Sequence, residues 1–442
     1  MKMIKAFIVF LVLAGLVIPV VAVAEDRLTL SGEMRVRGWH EDLDLGDRDD
    51  SDSTWTWADQ RLRIAGKIAV AEGVSITFRT DITESDWGSG NSNGSGRTTV
   101  CDEGGENCSD FQSQHWDRAH IDFSKNSFHV RAGQYFTVYG TTKAVDSQSN
   151  GVSVDYRFGD VPVNAFFQLI DDNDSRNEAD AFLSGVRVAP MFGDVATSLF
   201  VANYNDGQSD SGSDGDGAGE NVWLIGADVK AMFGPVNFKG EIDFFTGDAG
   251  YDEDTADGLD ATGMNVWLDG SLAATDAVTL GAQFFYGAGD DEDVQYTYLG
   301  TGFDGWDPLA DVGTSLSNEQ ITYDRPFNMA TFSLGAEGQY SADLELGSLG
   351  AIGGRLYTGF KATEELSFGA SIAYAQEEED ALAELDTLLL VAGMVYRILP
   401  NTTFEVQLQY SDGTLEVENW DGAGNDIDDD FDAFQAGTGL FV

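Results

Sequence analysis

Residues 61–70 read RLRIAGKIAV, a segment in which charged and aliphatic side chains alternate. The charged residues share one parity and the aliphatic residues share the other: Arg61, Arg63 and Lys67 against Leu62, Ile64 and Ile68. Because successive side chains of a strand point to opposite faces, this period predicts a strand with one cationic and one apolar face. Its apolar face must then lie against either a protein core or lipid.

The same alternation recurs along the whole chain in segments of about ten residues, the length that a tilted membrane-spanning strand needs. The predicted strands are 28–39, 60–70, 74–84, 115–124, 127–137, 151–159, 161–171, 181–191, 194–204, 221–232, 235–246, 262–273, 277–288, 351–361, 365–376, 387–398, 402–412 and 431–442. Short connections such as GD at 159–160 alternate with long acidic ones such as NDGQSDSGSDGDGAGEN. This pattern predicts an all-β fold, a transmembrane antiparallel β-barrel of about 18 strands with short periplasmic turns and long acidic extracellular loops.

One region leaves the strand count open. Residues 289–350 contain FNMATFSLGAEGQY, which reads as a further strand. Assigning this region to a long loop keeps the count even, as bacterial barrels require. Barrels of 16 or 20 strands are the alternatives. A secreted sandwich or solenoid is disfavoured, because the chain has no fixed repeat period and its strands alternate.

The N-terminus predicts the compartment. Two lysines precede the apolar run AFIVFLVLAGLVI, and Ala22 and Ala24 supply a small-x-small cleavage pattern. We therefore expect residues 1–24 to be a Sec signal peptide and residues 25–442 to be one barrel domain. The expected location is the Gram-negative outer membrane, in contact with its lipid and with lipopolysaccharide.

The charge balance excludes some partners. With 76 acidic and 24 basic residues the formal net charge is −52, which disfavours nucleic acid as a partner. In the loops, carboxylates either keep the rim solvated, bind Ca²⁺ that bridges to lipopolysaccharide phosphates, or reflect a saline habitat. Apart from such Ca²⁺, no cofactor is expected.

Two cysteines lie close together in CDEGGENC, and in an exported chain Cys101 and Cys108 are expected to form a disulfide within this loop. The four histidines have no metal-ligand spacing. The chain also lacks GxSxG, HExxH, P-loop and CxxCH motifs. The sequence therefore predicts a protein that is not an enzyme.

If the apolar parity faces lipid, the charged parity lines the lumen. The first strands place nine cations there: Arg35, Arg37, Arg61, Arg63, Lys67, Arg79, Arg118, Arg131 and Arg157. Four acidic residues on the same strands could neutralise some of them, namely Glu33, Asp81, Asp122 and Asp155. Later strands carry more inward acid, including Asp228, Glu241, Asp243 and Asp269, interspersed with Lys230, Lys239, Arg355 and Lys361. These arginines either brace the wall or attract anions.

Several segments within residues 55–170 carry a family resemblance: QRLRIAGKIAV, DRAHIDF, FHVRAGQYFTVYGTT and NGVSVDYRFGDVPVNAFF. They resemble the Gram-negative outer-membrane porins that include alginate-export and phosphate-selective types. Alginate-export relatives are similar in having 18 strands and a strongly cationic lumen. The final segment DAFQAGTGLFV resembles the C-terminal strand that the barrel-assembly machinery recognises, although Phe441 is penultimate here.

The expected function is a porin, a water-filled channel for passive diffusion of small hydrophilic solutes that favours anions along its basic wall. A loop, either 84–113 or 138–150, is expected to narrow the pore. The alternative is a surface or structural barrel with a closed lumen, whose acidic loops serve adhesion or divalent-cation binding. Both a monomer and a homotrimer are consistent with the sequence.

Overall fold

The computed structural model describes residues 27–44, 53–86, 100–101, 108–109, 115–142, 144–172, 180–206, 221–251, 258–287, 351–376, 383–417 and 427–442. Long strands joined by turns account for nearly all of them. No helix among these residues is long and apolar enough to cross a membrane.

The fold is a closed antiparallel barrel of 18 strands. In chain order the strands are β1 (Leu28–Asp44), β2 (Ser53–Ala71), β3 (Val74–Asp86), β4 (His115–Lys125), β5 (Phe128–Tyr139), β6 (Val145–Phe158), β7 (Val161–Asp172), β8 (Asp180–Val188), β9 (Val195–Asp206), β10 (Asn221–Phe233), β11 (Val236–Tyr251), β12 (Gly258–Ala273), β13 (Val278–Gly287), β14 (Ala351–Lys361), β15 (Leu366–Gln376), β16 (Ala383–Leu399), β17 (Thr402–Val417) and β18 (Ile427–Phe441). A two-residue segment, Met191–Phe192, pairs with β9 inside the β8–β9 connection.

The barrel closes between its first and last strands. β1 pairs with β18, and Met34 and Val442 exchange two backbone hydrogen bonds of 2.9 Å. β13 pairs directly with β14, from Gly287 opposite Ala351, so the ring closes without a strand from 289–350, a region outside the described residues. The predicted count of 18 is thereby confirmed, and the alternatives of 16 and 20 are not adopted.

Every predicted strand coincides with an observed strand, but several extend further at their loop ends. β1 continues to Asp44 and β2 begins at Ser53, and the two pair as far as Leu43 opposite Ser53. A barrel wall can continue beyond its apolar band, since each strand supplies the hydrogen-bond partners of the next.

The apolar parity lies on the outside of the barrel. Large apolar side chains are exposed there on almost every strand, from Ile68 on β2 to Phe158 on β6, which is 73% exposed. Leu268 on β12, Phe284 on β13 and Leu440 on β18 continue this surface. The opposite parity is largely buried or half-buried, and the candidate functional residues lie there.

Candidate functional site

The nine predicted cations all lie on the parity that faces the lumen, but at different depths. Arg35 and Arg37 on β1 are buried. Lys67 on β2 and Arg157 on β6 are exposed near the end of the barrel where short turns join the strands, which we call the short-turn end. The remaining five are half-buried: Arg61, Arg63, Arg79, Arg118 and Arg131. The nine cations thus lie on six consecutive strands, β1–β6, and their role as a pore-lining wall stays a prediction.

Several of these arginines are paired with carboxylates. Arg63 binds Asp81 through two hydrogen bonds, from Nε at 2.6 Å and from Nη2 at 3.0 Å. Arg61 Nη2 lies 2.9 Å from Glu33 Oε1. Such bidentate and adjacent pairs hold neighbouring strands together and reduce the positive field of the wall.

Asp117 is a further acidic partner of these arginines, and the alternation of side chains in the sequence does not predict it. Its carboxylate pairs with Arg79 and lies 3.9 Å from Arg63 Nε, and its side chain is buried. The β3–β4 register shifts at this point, because Thr80 is opposite Trp116 while Arg79 is opposite Arg118. This bulge turns Asp117 inward, next to Arg118. The sequence does carry a signal, since the apolar parity changes between Trp116 and Ala119.

A second polar network lies around Asp122 on β4. Its carboxylate accepts hydrogen bonds from Thr77 Oγ1 at 2.9 Å and from Arg131 Nε at 3.2 Å. His129 joins this carboxylate to Asp155, because its Nε2 lies 3.0 Å from Asp122 and its Nδ1 lies 3.0 Å from Asp155. The predicted neutralising acids therefore all contact basic side chains.

A hairpin leaves the barrel wall and enters the lumen. Within the described strands, β4 pairs with β5 only as far as Ala119 opposite Gln134, and β7 pairs with β6 only from Leu169 opposite Asn150. Residues 135–149 pair only with each other, from Tyr135 opposite Ser149 to Tyr139 opposite Val145. We call residues 135–149 the inward hairpin.

Two glycines mark the place where the inward hairpin departs. Gly133 and Gly151 face each other across the β5–β6 pair, and Gly133 has a φ of 126°. A Cβ atom on Gly133 would overlap the carbonyl oxygen of Ala119, and one on Gly151 would overlap that of Phe167. The neighbouring strands therefore approach too closely for any side chain at either position.

The tip of the inward hairpin is held by Glu241 on β11, six strands further round the barrel. The Thr141 and Thr142 backbone N–H groups both donate to Glu241 Oε2, the second at 2.9 Å, and Thr142 Oγ1 donates to Oε1 at 2.7 Å. Gly140 at the tip has a φ of 83° and lies against this carboxylate, where a Cβ atom would not fit.

The inward hairpin also packs on apolar side chains of the inner wall. The Tyr139 ring lies 5.2 Å from that of Phe166 and 5.8 Å from that of Phe200, and its hydroxyl donates to Asn164 Oδ1 at 2.5 Å. Val145 is fully buried in the same apolar cluster, which continues along the inner faces of β7–β13. Part of the lumen is thus filled by hydrophobic packing.

Beside the hairpin, toward the short-turn end, lies a cavity of about 470 Å³. Its polar lining includes Ser127, His129, Asp155, Arg157, Asn164 and Arg187. Arg187 on β8 was not among the predicted cations, and its guanidinium lies 5.1 Å from the centre of the Tyr139 ring. The cavity contains more cationic than acidic groups.

Other predictions fall partly outside the described residues. Most of loop 84–113 lies there, as do residues 1–24. Cys101 and Cys108 are opposite each other in a short backbone ladder, and the disulfide between them stays a prediction. Among the described residues, no three His, Cys, Asp or Glu side chains converge in a metal-binding cluster.

No protein-family model matches the sequence, and the search of curated proteins found no match. Among solved structures, OccAB4 of Acinetobacter baumannii aligns over 95% of this chain and 100% of its own, with a TM-score of 0.52 and 9% identity. OccAB2 of the same organism aligns over 93% and 98%, with a TM-score of 0.51 and 10% identity. OccAB1 aligns over 93% and 96%, with a TM-score of 0.50 and 10% identity. The structural neighbours are Gram-negative outer-membrane porins, and at this identity the likeness shows the fold alone.

Proposed function

We propose that this protein is an outer-membrane porin that lets small hydrophilic solutes diffuse passively through a lumen narrowed by the inward hairpin. The observation that carries this proposal is the set of hydrogen bonds from Thr141 and Thr142 to Glu241, which hold the hairpin inside a closed barrel. A segment held in this position divides the lumen and limits the size of what passes.

The outer surface supports a location in a bilayer. Its exposed apolar side chains, such as Ile225, Phe244 and Leu268, would be costly in water, whereas the nine predicted cations lie on the inner parity. An arginine facing lipid near the midplane costs about 2–4 kcal/mol, which explains why the cations face inward. The barrel also closes between β1 and β18, so neither its first nor its last strand is left as a free edge.

A preference for anions follows from the charges on β1–β8. Among the described side chains on the inner faces of β1–β8, the nine predicted cations and Arg187 outnumber six carboxylates, which are Glu33, Asp81, Asp117, Asp122, Asp146 and Asp155. We expect Arg157 and Arg187, which line the cavity beside the hairpin, to contribute most to this preference. Rows of lumenal charge are a common source of ion selectivity.

Planar-bilayer recordings test the proposal. The purified protein should produce discrete conductance steps, and in a KCl gradient the reversal potential should have the sign of Cl⁻ permeation. Absence of steps over many insertions would refute the channel. A reversal potential that favours K⁺ would refute the anion preference alone.

One observation favours the alternative of a barrel with a closed lumen. The apolar cluster of the interior extends beyond the hairpin contacts to Ala373, Leu389 and Val391 on β15 and β16. If this packing fills the remaining cross-section, the protein would act through its acidic loops, in adhesion or cation binding. Silent bilayers together with a folded barrel would support this second function.

A further inference from the structure

Two polar side chains are completely buried on the inner wall. Asp243 on β11 and Asn265 on β12 are directly opposite each other, and both have 0% exposure. Within the described part of the chain, neither oxygen of Asp243 and neither polar atom of the Asn265 amide has a hydrogen-bond partner. Since buried polar atoms are almost always paired, such a group calls for a ligand, an ion or a proton.

Glycines flank this pair on both neighbouring strands. Gly226 on β10 is opposite Asp243, and Gly287 on β13 is opposite Asn265. A Cβ atom on Gly226 would overlap both Asp243 Oδ1 and the Phe200 ring, so the carboxylate lies directly over this glycine. The Phe200 ring and Asp243 Oδ1 occupy the space above Gly226, and we call the buried position around Asp243 and Asn265 the recess.

A second carboxylate borders the recess. Glu241 lies two residues before Asp243 and therefore on the same face of β11, and both side chains are buried. Two ionised carboxylates on one buried face repel each other, so a proton or a cation is needed to balance their charge. Glu241 already accepts hydrogen bonds from Thr141 and Thr142, as an ionised carboxylate does.

We propose that a hard cation binds in this recess, with Asp243, the Asn265 carbonyl oxygen and Glu241 as its protein ligands. Ca²⁺ suits such a site, because it takes carboxylate and amide oxygens in flexible geometry. A cation is held by oxygens of all three groups, whereas a proton on Asp243 pairs that carboxyl with the Asn265 amide alone, so the two cases differ in metal binding. Two carboxylates and one carboxamide form this site, in keeping with the lack of a three-acid cluster among the described residues.

The other charged groups on this wall leave the site negative. Asp228 is opposite Glu241 on β10 and adds a third negative charge nearby. Lys230 and Lys239 form the next cross-strand pair toward the short turn, but both are exposed and neither makes an ion pair with Asp243 among the described residues. A divalent cation would balance Asp243 and Glu241 and would fix the carboxylate that holds the inward hairpin.

Terbium luminescence tests this site on the full-length, detergent-solubilised barrel refolded in chelator. Tb³⁺ replaces Ca²⁺, and Trp267, opposite Glu241, is placed to sensitise it. We expect saturable emission in the wild type that Ca²⁺ displaces. Asp243→Asn should weaken Tb³⁺ binding at least tenfold, and Trp267→Phe should remove the emission without removing the binding.

A matched control separates this site from the acidic loops. Asp269→Asn removes another buried, inward carboxylate of the same wall, whose Oδ2 already accepts a hydrogen bond from Tyr357 at 2.8 Å. This variant should bind Tb³⁺ as the wild type does. The proposal is wrong if Trp267-sensitised emission is absent, or if Asp243→Asn retains it in a barrel that circular dichroism shows to be folded. A second pair of results would also contradict it. If Asp243→Asn raises the thermal midpoint of unfolding and Ca²⁺ does not change the midpoint of the wild type, a proton rather than a cation balances the two carboxyls. None of these readouts depends on conductance.

Discussion

Thr142 and Glu241 lie 99 residues apart in the chain, and two hydrogen bonds of 2.9 and 2.7 Å join them inside the barrel. One partner belongs to the tip of a hairpin that has left the wall, and the other to a strand on a different side of the lumen. This contact fixes the tip of the hairpin against the inner wall of the barrel.

Replacing Glu241 with alanine should release the hairpin. The substitution removes the acceptor of three hydrogen bonds, and interactions of this kind with a charged acceptor are each worth about 1.5–3 kcal/mol. We expect larger and noisier single-channel conductance in planar bilayers. Thr142→Val, which removes only the hydroxyl donor, should give a smaller change in the same direction. Conductance identical to that of the wild type in both variants would show that the hairpin does not limit the passage.

Gly151→Ala should destabilise the junction between the hairpin and the wall. The new methyl group would overlap the Phe167 carbonyl oxygen, and over-packing of this kind typically costs about 1–3 kcal/mol. Gly270→Ala on β12 is the matched control, because a Cβ atom there meets nothing within 4 Å. Thermal unfolding in detergent should show a lower midpoint for the first variant only, and equal midpoints would argue against a close approach at Gly151.

Neutralising an arginine that is paired with a carboxylate should lower the stability of the barrel. Neutralising the arginines that line the cavity should instead change its ion selectivity. Arg63→Gln leaves the buried Asp81 without its bidentate partner, so we expect a stability loss of about 3–5 kcal/mol and little change in selectivity. Arg157→Gln combined with Arg187→Gln should instead reduce the Cl⁻/K⁺ permeability ratio at nearly unchanged stability. Chemical denaturation measures the stability change, and reversal potentials measure the selectivity change. If only Arg63→Gln lost selectivity, Arg63 rather than Arg157 and Arg187 would control permeation.

A charge on the outer surface should destabilise the barrel in lipid. Leu268 is exposed on β12, and arginine at such a lipid-facing position near the midplane costs about 2–4 kcal/mol. Gln283→Arg is the inward control at the same height, since Gln283 on β13 is opposite Asp269, the residue after Leu268. The free energy of unfolding, measured in lipid vesicles, should be lower for Leu268→Arg than for Gln283→Arg. Equal free energies of unfolding would mean that Leu268 does not face lipid.

Strand positions and the direction of most side chains could be predicted from the sequence. The period of two in RLRIAGKIAV places Arg61 and Arg63 on one face and the aliphatic residues on the other, and the structure has the same arrangement. Asp117 shows where this reasoning fails. A single bulge shifts the parity of β4 by one residue, so a carboxylate assigned to the outer face becomes a partner of Arg79.

The sequence by itself determined the barrel, because alternation, strand length and turn length are local properties of the chain and together define a closed wall with an apolar exterior. The tertiary structure alone decided what the interior does. That the hairpin bends inward at Gly133 and Gly151, that Glu241 receives its tip, and that Asp243 is buried beside Asn265 all depend on contacts between strands far apart in the chain. Such contacts leave no periodic trace, since each depends on the register and closure of the whole barrel.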